Sequence, residues 1–283
     1  MPSLVCSPWP ERQNISVVRG DLLHPMVSGN KLYKLQPLIE SALGTGRRTL
    51  VSVGGRYSNH LHALAWACRE AGLESVGLVR GYAAQALTPT LIDCQNWGMS
   101  LHFIDRKAYQ DRYDEAFWQK WLALYPNAMR LNEGGWSPES IAGSALWWQG
   151  IAADTQRVIC PVGSGCTLAG LAISAPPSTQ VVGVPVFRDA ENYQQLRAKL
   201  GSLTLGPSDY SLWSDFAGPG FGKLSPAQRA FSQAFSEESG IALDPVYTAK
   251  VFYALAAQLA IDSNLCREKI AILHTGGLQG CRQ

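Results

Sequence analysis

Apolar runs and helical stripes alternate along most of this chain. The runs at 49–53, 75–79 and 100–104 are short and compact, as strands buried on both faces are. Between them the 58–71 stretch sets Leu61, Leu64, Ala65 and Cys68 on one face and meets Gly72, a C-terminal stop. A second helix is predicted over 108–124, with Trp118 and Trp121 sharing a face turned to the core. Ser137-Pro138-Glu139-Ser140 reads as a helix start with proline at its first position, where the chain returns to the first lobe. The pattern then resumes: strand 157–162, helix from 166, strand 180–186, helices 189–200, 225–239 and 246–261, and strand 269–274. Residues 1–20 hold three prolines and the apolar pair Val17-Val18, and are predicted as an extended arm with one strand. Buried strands alternating with helices predict an α/β fold of open, twisted, mostly parallel sheets flanked by helices.

Length turns this pattern into two lobes, because single cores stop growing near roughly 250 to 300 residues and the chain has 283. The expected division is a larger domain from 1–38 plus 144–283 and a smaller α/β domain from 39–143, with the active site in the cleft between them. Charged residues at 16% and hydrophobic ones at 46% exclude a disordered chain. A net charge of +2 with no basic cluster beyond Arg47-Arg48 gives no case for nucleic-acid binding. Without an eighteen-residue apolar run or a leader pattern, no membrane association is expected, and the chain reads as a soluble cytoplasmic protein. Seven cysteines without a C-x-x-C pair argue against a disulfide framework and a zinc site, so reduced thiols are expected. Cys68 and Cys160 read as core, and Cys166, inside a glycine turn, as the one candidate for reactivity.

Candidate chemistry concentrates in three stretches. Ser28-Gly29-Asn30-Lys31-Leu32-Tyr33-Lys34-Leu35 sets a lysine between a flexible turn and a helix stripe of Leu35, Leu38, Ile39 and Ala42. A lysine so placed can have its amine desolvated, as Schiff-base chemistry on a carbonyl cofactor requires. Lys34, one turn on, is its rival. The second stretch, Val53-Gly54-Gly55-Arg56-Tyr57-Ser58-Asn59-His60, ends a strand and opens a helix at leading cap residues. His60 and His62 do not share a helix face, so no metal site is expected. The third, Val162-Gly163-Ser164-Gly165-Cys166-Thr167, can converge backbone N–H groups and a helix dipole on a small phosphate. It lacks the G-x-x-x-x-G-K-[ST] of nucleoside triphosphatases and a complete dinucleotide fingerprint.

Taken in order, the three stretches resemble the pyridoxal-phosphate enzymes of the tryptophan synthase β-subunit fold. The likeness is greatest to the family of D-cysteine desulfhydrase and 1-aminocyclopropane-1-carboxylate (ACC) deaminase, and it spans nearly the whole chain. The resemblance implies a homodimer that binds pyridoxal 5'-phosphate and acts on a small amino acid, with a D-amino acid expected. It implies that Lys31 holds the cofactor and then takes the substrate's α-proton, with Tyr247 of Asp244-Pro245-Val246-Tyr247 as assistant. Gly163, Ser164, Gly165, Cys166 and Thr167 would hold the phosphate and Asn59 the ring's 3-hydroxyl oxygen. Ser58 would hold the substrate carboxylate, with His60 nearby. ACC deaminases carry a glutamate where this chain has Thr248, a leucine before the late glycine pair where it has Thr275, and a tyrosine where it has Phe221. With Thr248 or Thr275 facing the ring nitrogen, a neutral hydroxyl gives a weaker electron sink than a carboxylate would. That is enough to expel a thiolate but not to open a cyclopropane, so the expected activity is β-elimination of D-cysteine to pyruvate, ammonia and sulfide. D-serine and a sulfonated analogue stay open as substrates. The alternatives are ACC deaminase, disfavoured by Thr248, Thr275 and Phe221, and a catalytically silent small-anion-binding homologue, disfavoured by Lys31, Ser58, Asn59 and Tyr247.

Overall fold

The computed structural model describes residues 4–206 and 209–281. Among these the strands are β1 (Cys6–Trp9), β2 (Arg12–Arg19), β3 (Thr49–Gly55), β4 (Glu74–Arg80), β5 (Ser100–Ile104), β6 (Ala128–Leu131), β7 (Arg157–Val162), β8 (Gln180–Pro185), β9 (Ser211–Leu212) and β10 (Ile270–His274). The α-helices are α1 (Asn30–Gly44), α2 (Asn59–Glu70), α3 (Pro89–Asn96), α4 (Arg106–Gln110), α5 (Glu115–Leu124), α6 (Pro138–Ser144), α7 (Cys166–Ile173), α8 (Gln194–Gly201), α9 (Pro226–Ser239) and α10 (Thr248–Ile261). The chain forms two compact units, one from residues 4–30 and 144–281 and one from 31–143. The first division falls at the start of α1.

The first unit carries a six-stranded sheet in the order β1-β2-β10-β7-β8-β9. Only the β1–β2 pair is antiparallel. The arm expected over 1–20 is thus a hairpin whose long second strand pairs with β10. Apolar residues of β2, β7, β8 and β10 pack against α9 and α10, with Trp9, Phe235 and Phe252 in ring contact at their centre. Because β2, β10 and β7 run in parallel, the loops after them leave the same edge of the sheet, where α/β proteins gather their ligand-binding groups.

The second unit is a four-stranded parallel sheet, β5-β4-β3-β6. Its core joins Val51, Val53, Val76 and Leu78 to Trp118 and Trp121, so both tryptophans are core residues as expected. Here β3 and β6 are parallel neighbours, and the loops after them lie at one edge.

Two helices differ from the sequence pattern for local reasons. The single helix expected over 108–124 is broken by a 3₁₀ turn at Asp111–Tyr113. The Trp118 indole donates to Arg112 O at 2.8 Å, and Arg112 is drawn away to Glu133, which fixes the break. The helix expected from 189 begins only at Gln194, because Asn192 and Tyr193 adopt left-handed backbone with φ 50° and 61°. Tyr193 is held there by its hydroxyl, which donates to Phe187 O at 2.9 Å.

Candidate functional site

In the first unit the glycine turn follows β7. Gly165 takes the left-handed conformation, φ 87°, and no side chain caps the N–H groups that open α7. By contrast α2, α3, α4 and α9 are each capped by a side-chain oxygen. A helix start left uncapped beside two glycines fits an external anion, whose oxygens would meet the orphan donors. The residue at its first turn, Thr167, accepts at Oγ1 from the Asn30 side-chain amide at 3.2 Å. Cys166 is buried with its Sγ 4.0 Å from Ser144 Oγ, and so belongs to the packing of this turn.

Asn30 also anchors the end of β10. Its backbone N–H points at Thr275 O, 3.4 Å away. Close approach makes this possible: a Cβ on Gly29 would lie 1.8 Å from Thr275 O, and Gly29 has φ 65°. The Thr275 side chain is nearly buried, yet among the described residues none bonds its hydroxyl. Beneath it, His274 is fully buried between Ala242 O, 2.8 Å from Nε2, and Asp21, 3.3 Å from Nδ1. The last residue before Lys31 is therefore tied both to the glycine turn and to the Thr275 loop.

The approach to α10 is organised by Asp244. Its carboxylate accepts from the backbone N–H of Val246, Tyr247 and Thr248 at 2.8 to 2.9 Å. This collects the helix's first donors and turns Tyr247 toward Gly163, where a Cβ would meet Tyr247 Cε1 at 3.2 Å. Phe221 stands edge-on to the Tyr247 ring, 6.1 Å between centroids. The one hydroxyl proton of Thr248 goes to Asp244 Oδ1 at 2.8 Å while its oxygen accepts from Asp244 N at 2.7 Å. The Thr248 hydroxyl proton is thus committed within its own turn.

α1 begins with Asn30, the last residue of this stretch of the first unit, and enters the second unit at Lys31. Lys34 is only 3% exposed, and among the described residues no carboxylate pairs with it. A buried ammonium without a counter-ion marks a place for an anion. Ser58 caps α2, its oxygen accepting from Leu61 N at 3.2 Å, which leaves the hydroxyl proton available. Asn59 is the first residue of α2 and is partly exposed.

His60 is 4% exposed and sits under the loop after β6. Ser52 donates to Leu131 O at 3.1 Å, so its oxygen accepts from His60 Nε2 at 3.0 Å. Nδ1 is buried with no partner. A Cβ on Gly135, φ 75°, would lie 3.4 Å from His60 Cε1. The Gly135 loop is anchored by Glu133, which accepts from Tyr109 Oη and, at 2.6 Å, from Arg112. Burial first, then the charges of Lys31 and Lys34, pushes the His60 pKa down to about 3. Between pH 6.5 and about 3 the unfolded chain binds a proton at this position that the folded chain refuses. Stability is therefore full above pH 6.5 and falls as pH drops through that window. Urea unfolding at pH 7 and pH 4 should show a loss of about 3 kcal/mol that the His60→Gln variant lacks; equal losses in both proteins would count against it.

Sequence reading missed the roles of Asn30, Ser52, Asp244 and Lys250. For Lys250 a signal existed, a lysine inside the apolar stripe of the 246–261 helix. Among the described residues no three His, Cys, Asp or Glu are grouped to hold a metal, and no helix is long and apolar enough to cross a membrane.

Comparison with known proteins identifies a family. Residues 13–276 match the family described as "pyridoxal-phosphate dependent enzyme". A D-cysteine desulfhydrase of Yersinia enterocolitica is 29% identical, over 94% of this chain and 87% of its own. A putative ACC deaminase of Pyrococcus horikoshii is 27% identical, over 94% and 85%. Among solved structures an ACC deaminase homologue superposes with a TM-score of 0.82 at 25% identity, covering 95% of this chain and 86% of that one.

Proposed function

Since the chain belongs to the pyridoxal-phosphate-dependent enzyme family, we propose that it is a lyase that eliminates the β-substituent of a small D-amino acid, with D-cysteine as the expected substrate. Pyridoxal phosphate supplies the electron sink that stabilises negative charge at the substrate's α-carbon. The residues present fit that cofactor. The uncapped start of α7 at Gly163–Thr167 would offer backbone donors to a phosphate. Lys31, joined by a single peptide bond to the anchored Asn30, carries the cofactor and takes the α-proton. Tyr247, beside Gly163, is placed to assist. Ser58 donates to the substrate carboxylate at the start of α2, and Asn59 to the ring oxygen.

The choice of β-elimination rests on one observation: the residue that follows β10 is the neutral Thr275, while Asp244, the carboxylate four residues before Thr248, is spent on backbone N–H groups. Facing the ring nitrogen, the Thr275 hydroxyl would leave the cofactor a weaker electron sink than a carboxylate would, adequate for a thiolate leaving group. The test is to assay pyruvate and sulfide from D-cysteine, L-cysteine and D-serine, and ketobutyrate from ACC. Pyruvate and sulfide from D-cysteine, without ketobutyrate, support the reading; ketobutyrate from ACC overturns it. The two threonines separate cleanly. Thr275→Val should shift the cofactor's absorbance and lower kcat about tenfold or more, as loss of one hydrogen bond of roughly 1.5 kcal/mol implies. Thr248→Val should instead lower the unfolding midpoint and leave the spectrum in place. A spectral change in Thr248→Val alone would reverse the assignment.

A further inference from the structure

The buried ring of His60 has one nitrogen whose use is fixed and one whose use is not. Ser52 spends its proton on Leu131 O, so its oxygen can only accept, and His60 must carry hydrogen on Nε2. Nδ1 is left with a lone pair, sealed from solvent and without a partner. Beside it lies the backbone of Gly135, and Ser140, whose Oγ borders the same point, donates its hydroxyl proton to Lys34 O at 2.8 Å. The charged groups that act on the ring are Lys31 and Lys34, both from α1, with Lys31 the stronger. Among the described residues no carboxylate is named as acting on the ring, and Glu133 of the neighbouring loop is engaged by Tyr109 and Arg112.

A buried acceptor without a donor costs free energy that a fold does not keep without use. Resting on the reading of Lys31 given above, we propose that His60 is a positioning residue whose Nδ1 receives the Lys31 ammonium in the part of the cycle when that amine is protonated. When the α-proton leaves the substrate, the C–H bond breaks, its electron pair stays with the substrate, and the proton forms the third N–H bond of Lys31. One of those N–H groups then donates to Nδ1. No proton passes to His60, which stays neutral throughout because burial and the second ammonium of Lys34 oppose its charging. The arrangement gives Lys31 an acceptor that is present for its protonated form and offers no competing acid.

The two amide side chains separate this role from packing. Gln places its amide near Nε2 and keeps the bond to Ser52 while removing the acceptor at Nδ1; Asn places a carbonyl near Nδ1 and gives up Ser52. The measurement is the pH dependence of acetic anhydride labelling at Lys31, read by peptide mass spectrometry on protein stripped of cofactor. His60→Gln is expected to lower the Lys31 midpoint by about one pH unit, a tenfold change in proton affinity. His60→Asn is expected to lie closer to the unsubstituted protein, both there and in the alkaline limb of kcat after reconstitution. Equal midpoints for His60→Gln and the unsubstituted protein, or a larger shift in His60→Asn than in His60→Gln, overturn the proposal. Failure of the underlying reading looks different: pyridoxal phosphate then produces no Lys31-dependent absorbance, whatever residue stands at 60.

Discussion

Lys31→Ala is expected to end turnover and to remove the covalently held cofactor together. Reduction with borohydride after adding pyridoxal phosphate should label the α1 peptide at Lys31 in the unsubstituted protein and leave that peptide unlabelled in the variant. Pyruvate formation from D-cysteine should fall by about a thousandfold or more, since a nucleophile and a general base are lost in one residue. The fold should survive. Lys31 opens α1 and is only half-buried, whereas the helix is held by Leu35, Leu38 and Ala42. Lys34→Ala is the needed control. Lys34 is 3% exposed and among the described residues no carboxylate pairs with it, so its loss is expected to weaken affinity for the anionic cofactor about tenfold, the scale of one charged hydrogen bond. Covalent capture at saturating cofactor should persist. Label recovered at residue 34, or an unchanged spectrum in Lys31→Ala, would refute the assignment.

What the sequence made legible follows from range. The Lys31 and 163–167 turns could be read because their chemistry is local: a glycine-rich strand exit, a helix start, and a lysine beside Ser-Gly-Asn. The parallel strands were legible as continuous apolar runs, and Trp118, Trp121, Cys68 and Cys160 as core. The commitment of Thr248 to Asp244 was not legible, because it depends on the backbone bend through Pro245, which brings a carboxylate and a hydroxyl four residues apart into one closed pair. Ser52 was passed over because a serine in an apolar strand carries no mark of the histidine it orients; only folding α2 back over β3 creates that pair. The β1–β2 hairpin was hidden by prolines, whose edge-strand role is visible only once β2 is seen pairing with β10.

Lys250 carries the second large effect. It lies wholly inside the first unit on α10, and its ammonium donates to Val186 O at 2.8 Å, Ala217 O at 2.8 Å and Gly220 O at 2.6 Å. Three N–H groups meet three carbonyls, so the geometry saturates the ammonium. Burial pushes its pKa down to about 8, with Asp244 opposing, and at pH 7 the charged form persists. Those carbonyls belong to the strand exit after β8 and to the 217–220 turn, which in turn sets Phe221 against Tyr247. Lys250→Met preserves most of the volume and strands all three acceptors. At roughly 1 kcal/mol or more for each unpaired buried group, the first unit should lose about 3 kcal/mol or more. Urea denaturation followed by tryptophan fluorescence should show the lower midpoint. Hydrogen exchange should rise selectively across 217–222, with β10 amides unchanged under native conditions. Because Phe221 is 60% exposed and borders Tyr247, its loosening should raise KM more than it lowers kcat. A midpoint and exchange pattern matching the unsubstituted protein would mean that the turn is held by its own backbone and not by the buried cation.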